Sequence, residues 1–239
     1  MTAAELESLL AVQARDLAID RLRHRRATLP ERAALEQQLA DLAARRKVAA
    51  EIDGRRTELL AEERRLDDEA QQLGARIADV DQRLYSGTVT SPRELQALQA
   101  DLDMLRRRRT ELEDRELEVM EQREGADAAL AAVEAAIGAV AAEVDRLRSA
   151  IAANEAEIDA ELAAEQAARD SLAADVREAL LHDYELRRAR NKGVGIARLV
   201  GVTCQACHLT IPSTEAERIR KAAGGEVASC DNCGAILVP

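Results

Sequence analysis

Three observations predict a mainly α protein: a long antiparallel coiled-coil hairpin followed by a small C-terminal module held together by cysteines. Apolar residues recur every seven positions along two long stretches. One interruption rich in Gly, Ser and Thr, Tyr85 to Pro92, separates those stretches. All four cysteines stand near the C-terminus, as Cys204-Gln-Ala-Cys207 and Cys230-Asp-Asn-Cys233.

Composition excludes an ordinary globular core. The 239 residues include no Phe and no Trp, and the only tyrosines are Tyr85 and Tyr184. Aromatic side chains supply the largest buried areas per residue, so a thick core has little to be built from. Abundant Ala, Leu, Glu and Arg with helical periodicity is instead the signature of long helices and coiled coils. The net charge is −11, unevenly placed: Glu185 to Pro239 holds eight basic and five acidic residues, and the rest of the chain carries the acidic excess. An acidic rod with a weakly basic tip is unsuited to coat nucleic acid along its length, so such contact is expected only at the tip. The N-terminal MTAAELESLLAVQARDL lacks the apolar run of a signal peptide, and no stretch is expected to span a membrane. Cysteines confined to metal-type spacings suit a reducing compartment. These features predict a cytoplasmic protein without a membrane partner.

The elements follow in order. Residues 2–27 read as a separate helical segment, broken near 28–30 by Thr28-Leu-Pro-Glu31. Thr28 is expected to cap the next helix, with Glu31 reaching back to it and Pro30 ending the incoming ladder. The segment is expected to lie on the Ala-rich stretch around 150–175, where small side chains permit close approach. In the first long helix Ile52, Leu59, Leu66, Leu73 and Val80 form one seam line. Leu35, Leu42, Ala49, Ala70, Ile77 and Leu84 form its companion. From Pro30 to Leu84 such a helix would span roughly 80 Å at 1.5 Å per residue. The chain is expected to turn at 85–91, with Ser91 as N-cap, Pro92 in the first helical position and Glu94 completing a capping box.

In the second helix Leu95, Leu102, Leu130, Ile137, Val144, Ile151 and Ile158 share one register. Leu98, Leu105, Leu112, Val119, Val133, Val140 and Leu147 share the other. Arg109, Glu116 and Arg123 interrupt this seam, which predicts a wetter middle. The helix is expected to run to Arg190, where Asn191-Lys-Gly193-Val-Gly195 stops it. Residues 1–192 are thus assigned to the hairpin and 193–239 to the terminal module.

Within that module the β-branched run Ile196 to Val202 leads into the first cysteine pair, and Thr210-Ile-Pro212 reads as a return strand. Thr214 and Glu217 are expected to cap a short helix through about Ala223. Glu226 to Ser229 then leads into the second pair, and Ile236 to Val238 leads out of it. Each Cys-x-x-Cys sets two thiolates on one tight turn, and two turns supply the four soft ligands of a closed, tetrahedral Zn²⁺ site. Cys204, Cys207, Cys230 and Cys233 are therefore assigned to one structural zinc, and short strands carrying two such knuckles make a zinc ribbon. Four thiolates leave no open position for a catalytic water. Gly234 suits the tight turn, while His208 at the matching place reads as a surface residue. So short a module buries little core, so the metal is expected to supply most of its folding energy.

Nothing else carries chemistry. His24 and His182 lie in helical stretches, and phosphate-binding loops and nucleophile motifs are absent from the sequence, which predicts a non-enzymatic protein without a small-molecule substrate.

The turn segment Leu84-Tyr-Ser-Gly-Thr-Val-Thr-Ser-Pro-Arg-Glu-Leu-Gln-Ala-Leu-Gln99, followed by Cys-x-x-Cys and a terminal Cys-Asp-Asn-Cys-Gly-Ala-Ile-Leu-Val, resembles the bacterial C4-type zinc ribbon family with a long N-terminal coiled-coil hairpin. The resemblance covers essentially the whole chain. It implies roles in transcription and flagellar regulation, through contact with an alternative sigma factor or with RNA. Two functions are expected from the residues. One is a nucleic-acid-binding or transcription-associated adaptor touching phosphates with Arg187, Arg188, Arg190, Lys192, Arg198, Arg218, Arg220 and Lys221, although the tip lacks aromatics for base stacking. The other is a scaffold whose hairpin and ribbon dock protein partners without nucleic acid.

Overall fold

The computed structural model describes residues 2–221 and 227–239. In order, the elements are α1 (Ala3–Ala27), α2 (Pro30–Tyr85), α3 (Pro92–Ala173), α4 (Glu178–Arg190), β1 (Ile196–Val200), β2 (Thr203–Cys204), α5 (Ser213–Lys221) and β3 (Ile236–Val238). They divide into two compact units. One is Leu35–Arg146; the other joins the described residues of Met1–Ala34 to Leu147–Pro239.

The unit Leu35–Arg146 holds the turn and part of the seam of the hairpin that the sequence assigns to residues 1–192. Leu42, Leu59, Leu66, Ala70 and Val80 of α2 are buried, as are Leu102, Leu105, Leu112 and Val144 of α3. Leu66 and Ala70 cluster with Leu112, and Val80 with Leu102 and Leu105, so the sequence positions run in opposite directions along the seam. The reversal is tied by the Ser86 hydroxyl, which donates to the Arg83 carbonyl at 2.9 Å and accepts from the Thr88 amide at 3.3 Å. Gly87 takes the left-handed φ of +76° that this turn requires.

The middle of the seam is polar. Arg109 lies across from Gly74, where a Cβ would stand 3.7 Å from its guanidinium, and leans along its own helix to Glu113 at 2.8 Å. Arg123 pairs across the seam with Glu63 at 3.1 Å. Among the described residues Glu116 has no such cation. Burial, with Asp67, Glu63 and Glu113 nearby, holds its carboxyl above the usual range. A carboxyl raised in this way binds its proton more tightly in the folded state, so its ionised form costs stability at neutral pH. That cost disappears as pH falls through the folded value. Glu116→Gln is therefore expected to stabilise the hairpin at pH 7 by about 0.5 kcal/mol, the scale of one relieved like-charge helix pair. The gain should vanish below about pH 4, where glutamate is protonated even in the unfolded chain. Thermal melts at both pH values check this; a variant that melts below the parent at pH 7 contradicts it.

The expectation that no stretch approaches a membrane span needs correction. Within α3 an 18-residue window has a mean hydropathy of 1.5 with none of it buried, long and apolar enough by length and composition to cross a membrane. The run Gly125 to Ala142 has that character, with Asp127 and Glu134 its only charged residues. The value comes largely from alanine, whose single methyl scores as apolar while burying little area.

In the other unit α1 lies against the C-terminal part of α3, as its small side chains suggested. Arg15 reaches Glu165 at 3.2 Å, Arg26 reaches Asp159 at 2.8 Å and Arg25 reaches Glu161 at 3.7 Å. The capping at the first break differs from expectation. Thr28 ends α1 instead of opening α2: its amide and hydroxyl both donate to the His24 carbonyl, at 2.9 and 2.8 Å. Glu31 accepts instead from Asn154 at 3.2 Å. Pro30 is the first residue of α2, where its missing N–H costs nothing.

The second helix does not run unbroken to Arg190. It stops at Ala173 and restarts at Glu178. Between them Asp175 and Val176 donate back three residues, to Leu172 and Ala173, which tightens the chain. That turn lets Val176 enter a core of Leu6, Leu9, Val12, Leu180, Tyr184, Ile196, Ile236 and Val238. The break has no Gly or Pro of its own; burial of Val176 sets it.

The sheet has the order β2-β1-β3, with β1 antiparallel to β2 and parallel to β3. Strand alternation divides its side chains between two cores. Ile196, Ile236 and Val238 face the helices. Ala197, Leu199 and Leu237 join Cys204, Cys230, Ile211, Ala216 and Ile219 on the opposite face. The expected return strand is reduced to one bridge, Thr203 to Thr210. Helix α5 opens at Ser213, its first turn closed by Glu215 and Ala216 amides on the Pro212 carbonyl, and Glu217 pairs with Lys221 at 3.6 Å instead of joining Thr214 in a cap. The expected helix end at Ala223 and the lead-in at Glu226 lie outside the described residues.

Candidate metal centre

The two cysteine turns close in the same way. In the first, the Cys204 amide donates to the Leu209 carbonyl at 3.1 Å and the His208 amide to the Cys204 carbonyl at 2.8 Å. In the second, the Cys230 amide donates to Ala235 at 2.9 Å and the Gly234 amide to Cys230 at 2.7 Å. Such a turn needs a left-handed residue, supplied by Gly234 at φ +73° and by His208 at φ +59°. Glycine adopts this conformation freely; for histidine it is strained. The His208 side chain is exposed and outside the cysteine cluster.

These turns bring the four sulfurs within 4.8 Å of one another. Cys204 Sγ is 3.9 Å from Cys233 Sγ, and Cys207 Sγ is 3.9 Å from Cys230 Sγ. Thiolates 2.3 Å from a shared Zn²⁺ at tetrahedral corners lie about 3.8 Å apart, so the set fits that ion. The electrostatics also call for a cation. Burial pushes the Cys204 thiol up and the Cys233 thiol up to about 12, against backbone amides that pull the other way. At Cys207 the Leu209 amide wins and lowers the thiol. Gathering four thiolates in so small a volume is unfavourable alone and becomes favourable around a dication, which deprotonates its ligands outright. The site holds one structural Zn²⁺, with a closed shell of four sulfurs.

The eight basic residues expected to face a partner do not form one free patch. Arg187 donates to the Gly234 carbonyl at 2.6 Å and pairs with Asp183 at 2.9 Å. Arg188 is paired with Asp20 at 2.5 Å and lies 3.8 Å from Asp16. Arg198 reaches Glu7 at 2.6 Å, Arg218 reaches Glu215 at 2.6 Å, Lys221 reaches Glu217 at 3.6 Å, and Arg220 donates to the Gly201 carbonyl. Among the described residues, the side chains of Arg190 and Lys192 have no hydrogen bond or ion pair. The ribbon also exposes apolar side chains near the first turn: Val200 is 58% and Leu209 54% exposed.

Sequence reasoning missed the group that seats the ribbon. Gln13 Oε1 accepts from the amides of Gly195 and Ile196, both at 2.8 Å, and its Nε2 donates to the Ile196 carbonyl at 2.6 Å. This buried side chain therefore pairs with the start of β1 as a neighbouring strand would. One turn on, Asp16 accepts from the Tyr184 hydroxyl at 2.7 Å and from Arg169 at 3.4 Å. Burial, reinforced by Asp16, keeps the Tyr184 phenol well above its usual range. Gly195 lets this happen at close quarters: a Cβ there would meet the Tyr184 ring at 2.5 Å and its carbonyl at 2.6 Å. A signal was present, because Gln13 and Asp16 continue the spacing of Leu6 and Leu9 on α1, and polar residues on an apolar stripe need buried partners.

Comparison with known proteins agrees with both parts. Residues 12–192 match the CT398-like coiled coil hairpin domain and residues 203–237 the C4-type zinc ribbon domain. An uncharacterized protein of Mycobacterium tuberculosis is 35% identical over 242 residues, covering 98% of this chain and 95% of its own length. A solved structure from Mycobacterium smegmatis superposes with a TM-score of 0.73 at 28% identity, over 100% of this chain and 99% of that one. CT398 from Chlamydia trachomatis superposes with a TM-score of 0.71 at 19% identity, over 98% and 96%, which speaks for the fold alone.

Proposed function

Because the chain belongs to the CT398-like coiled-coil hairpin family, with a C4-type zinc ribbon at its end, we propose that it is a non-enzymatic cytoplasmic adaptor whose ribbon docks a protein partner. One observation carries this reading: most of the basic side chains near the ribbon are engaged within the chain, while Val200 and Leu209 stay exposed beside the first cysteine turn. Phosphate binding draws on cations available to replace counterions. Protein interfaces draw instead on apolar anchors that become desolvated.

A second reading, contact with RNA or DNA, is favoured by Arg190 and Lys192, which extend from the end of α4 without an internal partner among the described residues. Two double variants separate the readings. Val200→Asp with Leu209→Asp should weaken capture of a protein partner about tenfold or more, as loss of a central anchor does. Arg190→Ala with Lys192→Ala should leave that capture unchanged. If the second variant instead abolishes a salt-sensitive gel shift that the first retains, the nucleic-acid reading replaces the proposal. Substitutions at Arg187 and Arg188 are unsuited to this test, since both side chains hold the unit together.

A further inference from the structure

The two cysteine turns share one ribbon core, but only the second is also braced by α4. The first is held within the ribbon: Cys204 lies among Ile211, Ala216 and Ile219, and the Gln205 amide donates to the Arg198 carbonyl at 3.1 Å. The second shares that cluster through Cys230 and is held from outside the ribbon as well. Its exit strand places Ile236 among the helices, the Ile236 amide donates to Gly195 at 2.8 Å, and the Gly234 carbonyl accepts from Arg187 at 2.6 Å. Asp183, one turn earlier on α4, aims Arg187 at that carbonyl from 2.9 Å.

We propose that Arg187 is a latch through which occupancy of the zinc site holds α4 against the ribbon. This rests on the metal site and not on the identity of any partner. Gly234 follows Cys233 directly, and its left-handed φ of +73° and its amide bond to Cys230 belong to the turn that closes around the metal. That closure turns the Gly234 carbonyl outward to Arg187. When the metal leaves, the turn is no longer constrained and the guanidinium loses its acceptor, although it keeps Asp183. Helix α4 then remains tied to α1 through Arg188 with Asp20 and Tyr184 with Asp16, and Leu180 and Tyr184 keep their packing on Ile196 and Ile236, but its polar hold on the second turn is lost. In the reverse direction, an α4 lacking Arg187 leaves the second turn less restrained and the zinc freer to depart.

The test uses the full chain loaded with zinc and a chromogenic chelator, 4-(2-pyridylazo)resorcinol, to follow metal release. Arg187→Ala is expected to release zinc about tenfold faster than the parent, the scale of one charge-assisted hydrogen bond. Arg190→Ala, close by on the same helix, is expected to match the parent. Asp183→Asn keeps the guanidinium but loosens its aim, and should fall between; it decides the matter if the alanine variant does not fold. Hydrogen exchange gives a second readout that a merely structural arginine would not move. In the parent, amides of α4 should exchange at least tenfold faster once zinc is removed, and in Arg187→Ala that metal-dependent change should be largely gone. Parent-like zinc release from both the Arg187 and Asp183 variants, or α4 exchange indifferent to metal in the parent, overturns the proposal.

Discussion

Cys230→Ser is expected to abolish stoichiometric zinc binding and to loosen both faces of the β1–β3 sheet while the hairpin Leu35–Arg146 keeps its helix. Three thiolates and a hydroxyl cannot reproduce the soft tetrahedral set, and structural zinc contributes roughly 10–16 kcal/mol of apparent binding energy in small modules. The ribbon alone cannot replace that contribution. A freely hinged ribbon would melt by itself, but this one shares Ile196, Ile236 and Val238 with Leu6, Leu9 and Val12 of α1 and Tyr184 of α4. Loss of metal should therefore expose part of the α1 face as well. Elemental analysis should find zinc far below one per chain. Hydrogen exchange should show lost protection in β1, β3, α1 and α4, with α2 and α3 between 35 and 146 unchanged. Full zinc occupancy, or a change confined to residues 203–237, is the contrary result.

The second large effect is expected at Asp16. Asp16 is 4% exposed and its carboxylate accepts from the Tyr184 hydroxyl, with Arg169 and Arg188 beside it. Asp16→Ala leaves the Tyr184 hydroxyl without its acceptor and removes the anion between Arg169 and Arg188, which keep Glu185 with Asp170, and Asp20, respectively. Removing one partner from a buried charged group costs about 3–5 kcal/mol, a large share of the roughly 5–15 kcal/mol that keeps a typical domain folded. Asp16→Asn, which keeps one acceptor oxygen for Tyr184, should lose less. The pH dependence has a definite sign. Tyr184 keeps its proton in the folded unit to higher pH than in the unfolded chain. Above about pH 10 the unfolded chain releases that proton first, so the stability it represents is lost as pH rises from there. Thermal unfolding of the parent and both variants between pH 7 and 11 checks the order and the slope. An alanine variant as stable as the parent refutes the account.

What the sequence determined by itself was whatever depends on local or periodic chemistry. The seam of Leu59, Leu66, Val80, Leu102 and Leu112 is legible because seven-residue spacing puts one side of a helix against one partner. The turn at Tyr85 to Pro92 is legible because Gly and Pro act on their own backbone, and the zinc site because each Cys-x-x-Cys forms within a single turn. Tertiary structure alone decided the break between α3 and α4, where Val176 leaves the helix for a core supplied by α1, β1 and β3. It also decided that Thr28 closes α1 and does not open α2, and that Arg187 and Arg188 serve the interior of the unit. Local propensity at these positions is worth about a kilocalorie or less. A buried valine, or a charge that meets its partner, is worth more. Those partners lie far away in sequence: Asp16 stands 168 residues from Tyr184, and Gln13 stands 183 from Ile196. No spacing rule reaches that far, so only the packed unit could assign them.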